Sequence, residues 1–176
     1  MVVFEVGVGP LSTCRSRPYW DKHKCVLFEP LWNFYHEINK AIKPSNVIVH
    51  NIAIYDYNGK CEFIQNDQLS SIKGIHSPAF QIGQRGGNIT VCDCAKIREF
   101  DKGDINLLFL DMEGSEWFVL KHLISRPKKI VIETSSPGYV NPFLKEIHGW
   151  MWENKYKEVG RDGPDIIWIK KHKIFI

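Results

Sequence analysis

The sequence predicts an α/β fold in which a mostly parallel, twisted sheet carries helices on both faces and closes with an antiparallel C-terminal edge. Short apolar runs alternate along the chain with segments of helical periodicity, an order typical of parallel strands joined by crossover helices. The last two apolar runs are joined only by the turn Arg161-Asp162-Gly163-Pro164, which favours an antiparallel pair.

The apolar runs predict the strands in order along the chain. They lie at residues 2–4, 25–28, 47–54, 61–64, 105–110, 129–132, 156–159 and 166–169. Residues 65–88 are irregular and rich in glycine, and we interpret them as a mobile loop.

Helical periodicity predicts three helices between these strands. The first places Leu31, Phe34, Tyr35, Ile38 and Ile42 on one face. The second follows residue 114 and has Trp117, Leu120 and Ile124 on its inner face. The third begins with Asn141-Pro142 as N-cap and first turn and carries Phe143, Ile147, Trp150 and Met151.

Length and composition restrict the class of protein. A chain of 176 residues with 44% hydrophobic residues is typical of one globular domain, residues 1–176. Because no apolar run approaches about 18 residues, we expect no membrane span. The five scattered cysteines favour reduced thiols and a cytoplasmic location. A net charge of +3 with a short basic tail does not indicate a nucleic-acid partner, and the oligomeric state is not determined.

Acidic residues follow four of the predicted core strands: Glu5, Glu29, Asp111 and Glu133. The carboxyl ends of parallel strands meet at one edge of the sheet, where ligands bind in open α/β folds. Any one acid could simply cap the next helix. Four together indicate a ligand that carries positive charge and hydroxyl donors, since clustered carboxylates repel one another unless compensated.

The first strand runs into the loop Glu5-x-Gly7-x-Gly9, and Glu29 follows at the spacing of a ribose-binding acid. Two cofactors compete for this pattern. A nicotinamide dinucleotide needs backbone N–H groups for its pyrophosphate, but Pro10 donates none and Ser12 replaces the third glycine. S-adenosylmethionine has no phosphate and carries an ammonium and a sulfonium, so the acidic edge favours it.

Four segments together resemble a known family. They are residues 4–9 (FEVGVG), 27–30 (LFEP), 51–59 (NIAIYDYNG) and 110–116 (LDMEGSE), in that order. They are similar to the motifs of FkbM-type methyltransferases. The resemblance covers roughly residues 2–135, and its most specific part is the Asp-x-Glu-Gly-x-Glu block at residues 111–116. It implies a Rossmann-like class I methyltransferase fold, S-adenosylmethionine as cofactor, and O-methylation of a sugar, a glycan or a glycosylated small molecule.

Matching positions carry the family's cofactor contacts onto this chain. The resemblance implies that the loop residues Glu5, Gly7, Gly9 and Pro10 bind the methionine end, and that Glu29 with Pro30 binds the ribose. The remaining implied contacts are Asn51, Ile52 and Ala53 near the adenine, Ser70 and Ser71 after the extra strand, and Asp111 and Met112 beside the transferred methyl.

Methyl transfer to an aliphatic hydroxyl needs a general base or a divalent metal, because the hydroxyl is a poor nucleophile until its proton is removed. We expect Asp111 and Glu133 to meet at adjacent strand ends, and our hypothesis is that they act as base or bind Mg²⁺ or Mn²⁺, with Glu113 or His148 as further catalytic candidates. Alternatively, Asp111 only positions the cofactor ammonium and Glu133 caps a loop. His148 could equally be a packing residue, and His76 could touch the acceptor.

Two other functions remain open from the sequence. The first is a methyltransferase acting on RNA or on a small metabolite that is not a sugar, for which the basic tail is a mild argument. The second is a binding module that keeps the cofactor pocket without catalysis. Salt-sensitive RNA binding would favour the first, and cofactor binding without turnover would favour the second.

Overall fold

The computed structural model describes residues 1–66, 69–75, 77 and 88–171. The strands are Val2–Val6 (β1), Lys24–Phe28 (β2), Val47–His50 (β3), Ala53–Ile54 (β4), Gly59–Gln65 (β5), Ser71–Ile72 (β6), Asn88–Ala95 (β7), Ile105–Leu110 (β8), Lys129–Glu133 (β9), Ser135–Ser136 (β10), Tyr139–Val140 (β11), Tyr156–Asp162 (β12) and Asp165–Lys170 (β13). The helices are Trp32–Ala41 (α1), Glu116–His122 (α2) and Leu144–Glu153 (α3). Short 3-10 turns lie at Leu11–Thr13, Arg17–Tyr19 and Ile97–Glu99.

The main sheet has the strand order β12-β13-β9-β8-β1-β2-β3. The strands from β9 to β3 are parallel, whereas β13 pairs antiparallel with β9 and β12 pairs antiparallel with β13. The predicted α/β class, the mostly parallel sheet and the antiparallel C-terminal edge are therefore confirmed. The strand order reverses between β1 and β8, because β2 lies on one side of β1 and β8 lies on the other.

Helices cover both faces of this sheet, as strand alternation predicts. Side chains of successive strand residues point to opposite faces. On one face Leu27 packs with Ile38 of α1, and on the other Phe28 packs in the cluster that holds Leu120 of α2 and Met151 of α3. Within the described part of the chain, no helix has the length and apolar character needed to cross a membrane.

A second sheet, with the order β4-β7-β5-β6, lies outside the main one. The prediction of one strand over residues 47–54 is wrong, because β3 ends at His50 and Ala53 pairs instead with Cys94 of β7. The break has a local cause. The Asn51 side-chain amide donates to the carbonyls of Glu29 and Pro30, both at 2.9 Å, and this turns the chain away from β2.

The sequence analysis missed β7, although the alternation of polar and apolar residues in this segment is typical of a strand. Its apolar residues Ile89 and Val91 are exposed, and its partner β5 is distant in sequence. The predicted loop at residues 65–88 contains the short strand β6. The predicted mobility of this loop concerns mainly residues 67, 68, 76 and 78–87, which lie outside the described residues. His76, the predicted acceptor contact, is one of them.

The helix boundaries differ from the predicted ones at two points. Ile124 is not on an inner face but 54% exposed, because α2 ends at His122 and the Asp101 carboxylate accepts hydrogen bonds from the N–H groups of Ile124 and Ser125. The third helix begins at Leu144, so Asn141 precedes its N-cap. The inner face of that helix is confirmed by its buried residues, Ile147, Trp150 and Met151, and by Phe143 packed against the same core.

Candidate active site

A pocket opens at the carboxyl edge of the main sheet, between the ends of β1, β2 and β8 and the second sheet. It encloses about 830 Å³ of empty space including its open mouth. Its walls are apolar where Phe34, Ile52 and Phe63 face it and acidic where Glu29 and Asp111 do.

Most of the residues predicted to bind a cofactor line this pocket. They are Gly7, Gly9, Pro10, Glu29, Pro30, Ile52, Ala53, Ser70, Asp111 and Met112, and the catalytic candidate Glu113 joins them. Glu5, Asn51 and Ser71 are not among the lining residues. The predicted gathering of strand ends around one hollow is therefore found, with exceptions that have separate structural reasons.

The first loop needs glycine at position 7 for two reasons. Gly7 has φ +76°, which L side chains rarely adopt, and a Cβ there would lie 1.8 Å from the backbone oxygen of Asp111. The N–H of Gly7 donates to the carbonyl of Phe28 at 3.1 Å. The glycine thus lets the ends of β1, β2 and β8 meet closely at the floor of the pocket.

Glu29 is held firmly at the opposite side of the loop. One carboxylate oxygen accepts the N–H of Gly9 and the other accepts the N–H of Leu31, both at 2.8 Å. Burial, opposed by these hydrogen bonds, raises the pKa of Glu29 to about 7. Each carboxylate oxygen has two lone pairs, so Glu29 keeps acceptor capacity toward hydroxyl groups in the pocket.

Three carboxyl groups gather at the ends of β8 and β9, and two of them, Asp111 and Glu113, line the pocket. One oxygen of each of Asp111, Glu113 and Glu133 lies within 4.8 Å of the others. Burial first, and then the neighbouring charges of Asp111 and Glu116, raises the pKa of Glu113 to about 9. Burial and the adjoining Asp111 carboxyl also raise the pKa of Glu133. Clustered acids in a low dielectric hold protons until positive charge arrives.

A tight turn after β8 carries two of these acids, Asp111 and Glu113. Glu113 has φ +53°, an uncommon conformation for a residue with a side chain, and its buried Oε2 has no hydrogen-bond partner among the residues that the structure describes. Glu116 stabilises the turn, because its Oε1 accepts hydrogen bonds from the N–H groups of Met112 at 2.7 Å and Gly114 at 3.3 Å. Its Oε2 accepts the side-chain amide of Asn141.

The comparison with protein families shows the family of this chain. A family model described as the methyltransferase FkbM domain matches residues 8–158. The chain belongs to the FkbM methyltransferase family. The matched range contains Glu29, Asp111, Glu113 and Glu133, and the usual cofactor of methyltransferases is S-adenosylmethionine. A search of curated proteins gave no match.

Glu5 does not line the pocket of this FkbM-family chain, which corrects the predicted cofactor contact. Its side chain is 2% exposed and faces the segment that follows the first loop. Its carboxylate accepts the N–H groups of Arg15 at 2.7 Å and Ser16 at 2.8 Å, together with the thiol of Cys14. Glu5 therefore organises residues 14–16.

Asn51 and Ser71 also lie outside the lining of the pocket. Asn51 holds the Glu29-Pro30 turn through its side-chain amide. Ser71 is buried in the short strand β6, whose neighbour Ile72 faces the pocket instead. Because successive strand residues face opposite ways, the one-residue difference from Ile72 decides which side chain reaches the pocket.

The sequence analysis missed Arg15 and Asp165, which complete the acidic cluster. The Arg15 guanidinium lies 2.8 Å from Asp111 and 2.5 Å from Asp165. Asp165 begins β13 and pairs in register with Glu133. No local pattern marks Arg15, but Asp165 could have been found from the antiparallel pairing of the last strand. Glu116 was within the quoted motif, although no role was assigned to it.

His148 is not brought to the carboxylates, which corrects its prediction as a catalytic partner. It lies on α3, where its ring makes an edge contact with Trp168, with centroids 5.4 Å apart. Trp168 is opposite Ile130, three residues before Glu133 in β9 and on the other face of the sheet from it. Ile130 lies roughly 10 Å along β9 from Glu133, so His148 packs with Trp168 on the opposite face of the sheet from Glu133.

Asp111 and Glu133, with Glu113, offer the oxygen ligands that Mg²⁺ or Mn²⁺ prefers. Arg15 already supplies one positive charge to Asp111 from the side. The arrangement can therefore stabilise a cation, orient the hydroxyl of an acceptor, or take up its proton.

Proposed function

We propose that the protein is an S-adenosylmethionine-dependent O-methyltransferase that acts on a hydroxyl of a sugar, a glycan or a glycosylated small molecule. The observation that carries the proposal is a single pocket with Glu29 on one side and the carboxyls of Asp111 and Glu113 on the other. Sugar acceptors are proposed because the resemblance to the family implies them.

The residues present fit the proposed cofactor. Glu29 would accept hydrogen bonds from the ribose hydroxyls, and the apolar wall formed by Ile52, Ala53 and Phe63 would pack against the adenine. Gly7 and Gly9 line the pocket with backbone atoms, which would contact the methionine end. The acids that follow β8 lie where the cation would need charge compensation. When bound, the cofactor supplies an electrophilic methyl group.

Carboxylates of the chain would then accept the proton of the acceptor hydroxyl. A hydroxyl held against Glu113 or Glu133 can transfer its proton to the carboxylate while the oxygen attacks, which is general-base catalysis. A carboxyl with a raised pKa serves as a base only after it ionises, and a cation in the pocket favours ionisation. Arg15 would hold the Asp111 carboxylate in place beside the cofactor.

We infer a Rossmann-like class I methyltransferase fold within one domain, residues 1–176. Its support is the parallel order of β3, β2, β1, β8 and β9, with the pocket beside the switch between β1 and β8. The second sheet contributes Phe63 and Ile72 to the same pocket, which supports one domain over two.

Ligand-induced stabilisation tests the cofactor. S-Adenosylhomocysteine at a hundredfold excess over its Kd should stabilise the native chain by about 2.7 kcal/mol, whereas NAD should not. Glu29→Gln should weaken binding at least about tenfold through loss of a charged acceptor. The matched control is Glu37→Gln, which replaces an exposed glutamate of α1. Stabilisation by NAD alone would overturn the cofactor assignment.

A chelation experiment separates the two catalytic versions. If Asp111 and Glu133 bind Mg²⁺ or Mn²⁺, a chelator should abolish methyl transfer to a sugar acceptor, and adding either metal back should restore it. Turnover that continues undiminished in chelator would remove the metal and leave the carboxylate base. Binding of S-adenosylhomocysteine without turnover on sugar, small-metabolite and RNA acceptors would instead support a non-catalytic module.

A further inference from the structure

Three cysteines that the proposed activity does not use lie on one face of the second sheet. They are Cys61 of β5 and Cys92 and Cys94 of β7. Cys61 and Cys92 are direct cross-strand partners in an antiparallel pair, and their Sγ atoms are 3.5 Å apart. The adjacent partners Lys60 and Asp93 form an ion pair of 2.7 Å across the same strands, which holds this register.

This geometry suits a disulfide between Cys61 and Cys92. Direct antiparallel partners have Cα atoms about 4.5–5.5 Å apart, inside the range of about 4.4–6.8 Å that a disulfide spans. Cys94 is opposite Gly59 and diagonal to Cys61. Diagonal positions are about 7–8 Å apart, outside that range. The sheet therefore selects Cys92 over Cys94 as the partner of Cys61.

We propose that Cys61 and Cys92 form a reversible dithiol–disulfide site that is oxidised by low-molecular-weight disulfides. The Cys92 thiolate attacks one sulfur of the small disulfide, and the other sulfur leaves as a thiolate that takes a proton from water. Cys61 then loses its proton and attacks the Cys92 sulfur, which releases the second small thiol. The two cysteines are oxidised to one S–S bond, and one small disulfide is reduced to two thiols.

The surroundings favour Cys92 as the first nucleophile. Cys92 is half-buried, whereas Cys61 is 4% exposed, so a small disulfide reaches Cys92 first. The hydrogen bond from Cys61 lowers the pKa of the Cys92 thiol, and the same bond together with burial raises the pKa of Cys61. An attacking cysteine beside a buried resolving cysteine is the arrangement that closes a disulfide instead of keeping a mixed one.

The site adjoins the wall of the pocket. Cys61 packs with Ala53, which lines the pocket, and Phe63 lies two residues along β5 on the same face and lines it as well. Forming the bond brings the sulfurs from 3.5 Å to about 2.05 Å. Oxidation should therefore move the Cys61 side chain relative to Ala53 and change the pocket at its apolar wall. This consequence rests on the proposed function, whereas the disulfide itself does not.

Mapping the thiols tests the site independently of any cofactor. The native full chain is incubated with oxidised glutathione, denatured in acid, and alkylated before digestion and mass spectrometry. We expect alkylation of Cys14, Cys25 and Cys94, and a linked peptide joining Cys61 to Cys92 that reduction releases. Persistent glutathione on Cys92, full alkylation of both cysteines, or a link to Cys94 would each overturn the proposal.

Variants then locate the consequence for the pocket. Cys94→Ser is the matched control and should still form the link, whereas Cys61→Ser should keep glutathione on Cys92. Circular dichroism verifies that each variant is folded, and Cys61→Ala replaces any serine variant that is not. Oxidation should change S-adenosylhomocysteine affinity at least about threefold in Cys94→Ser but not in Cys61→Ser. If the link forms and affinity is unchanged, the coupling is refuted while the disulfide site stands. If neither oxidation state binds the ligand, the proposed function fails instead.

Discussion

The guanidinium of Arg15 lies 2.8 Å from the carboxylate of Asp111, a residue 96 positions further along the chain. The same guanidinium contacts Asp165 at 2.5 Å. One cation from the first loop therefore joins the end of the central strand β8 to the antiparallel strand β13. This contact gives the acidic cluster both a counter-charge and a fixed position.

Removing this cation should destabilise the protein. Arg15→Met leaves Asp111 and the buried Asp165 without their partner, and we expect a loss of about 1–3 kcal/mol in the free energy of unfolding. Urea unfolding at neutral pH measures it, with the exposed Arg17→Met as control. Arg15→Lys should recover part of the loss. Equal stability of Arg15→Met and Arg17→Met would show that the pair contributes nothing.

Substitution at Gly7 should be much more damaging than at a glycine of similar conformation. Gly7→Ala places a Cβ 1.8 Å from the Asp111 oxygen, so we expect a loss of more than about 3 kcal/mol or failure to fold. Gly138 has φ +78° and open space around it, so Gly138→Ala should lose only about 1–2 kcal/mol. Thermal unfolding compares the two. Similar losses would mean that conformation alone, and not the close approach, requires glycine at position 7.

Stability should fall as pH rises above the acidic range. Burial raises the folded-state pKa of Glu29 and Glu116 to about 7 and that of Glu113 to about 9, each above the usual value of 4.5 for a glutamate. The folded state thus holds protons that the unfolded chain has released. Their stabilising contribution is full below the unfolded pKa and is lost as pH rises through these folded values.

Urea unfolding as a function of pH checks this sign. Glu113→Gln should make the loss of stability shallower across the whole range between the unfolded pKa of 4.5 and the folded pKa of about 9, and should remove most of it above the folded pKa values of about 7 for Glu29 and Glu116. The exposed Glu153→Gln is the control. Stability that increases steadily with pH in the wild type would contradict the protonation of these buried acids.

The turn after β8 should depend on Asn141. Asn141→Ala removes the amide that donates to the buried Glu116 carboxylate, and an unpaired buried acceptor costs about 1–3 kcal/mol. Because Glu116 also fixes Met112 and Gly114, S-adenosylhomocysteine affinity should fall as well. Calorimetric titration measures it, with the exposed Asn58→Ala as control. Unchanged affinity in folded Asn141→Ala would separate this hydrogen bond from the shape of the pocket.

The fold class could be predicted because its signals are local. The strand at residues 105–110 was recognised with the bounds that the structure gives, since a run of apolar residues buried on both faces is legible without knowledge of its neighbours. The segment at residues 47–54 could not be divided in the same way. Its second half pairs with Cys94 of β7, a strand that the sequence analysis missed.

The sequence by itself determined that acids follow the core strands, that glycine opens the first loop, and that the Asp-x-Glu-Gly-x-Glu block belongs to an FkbM methyltransferase. Only the tertiary structure decided what each acid does. Glu5 lies within β1 and Glu29 follows β2 of the same sheet, yet Glu5 binds the N–H groups of residues 15 and 16 while Glu29 lines the pocket. Periodicity fixes which face a side chain occupies, but its partners come from segments distant in sequence.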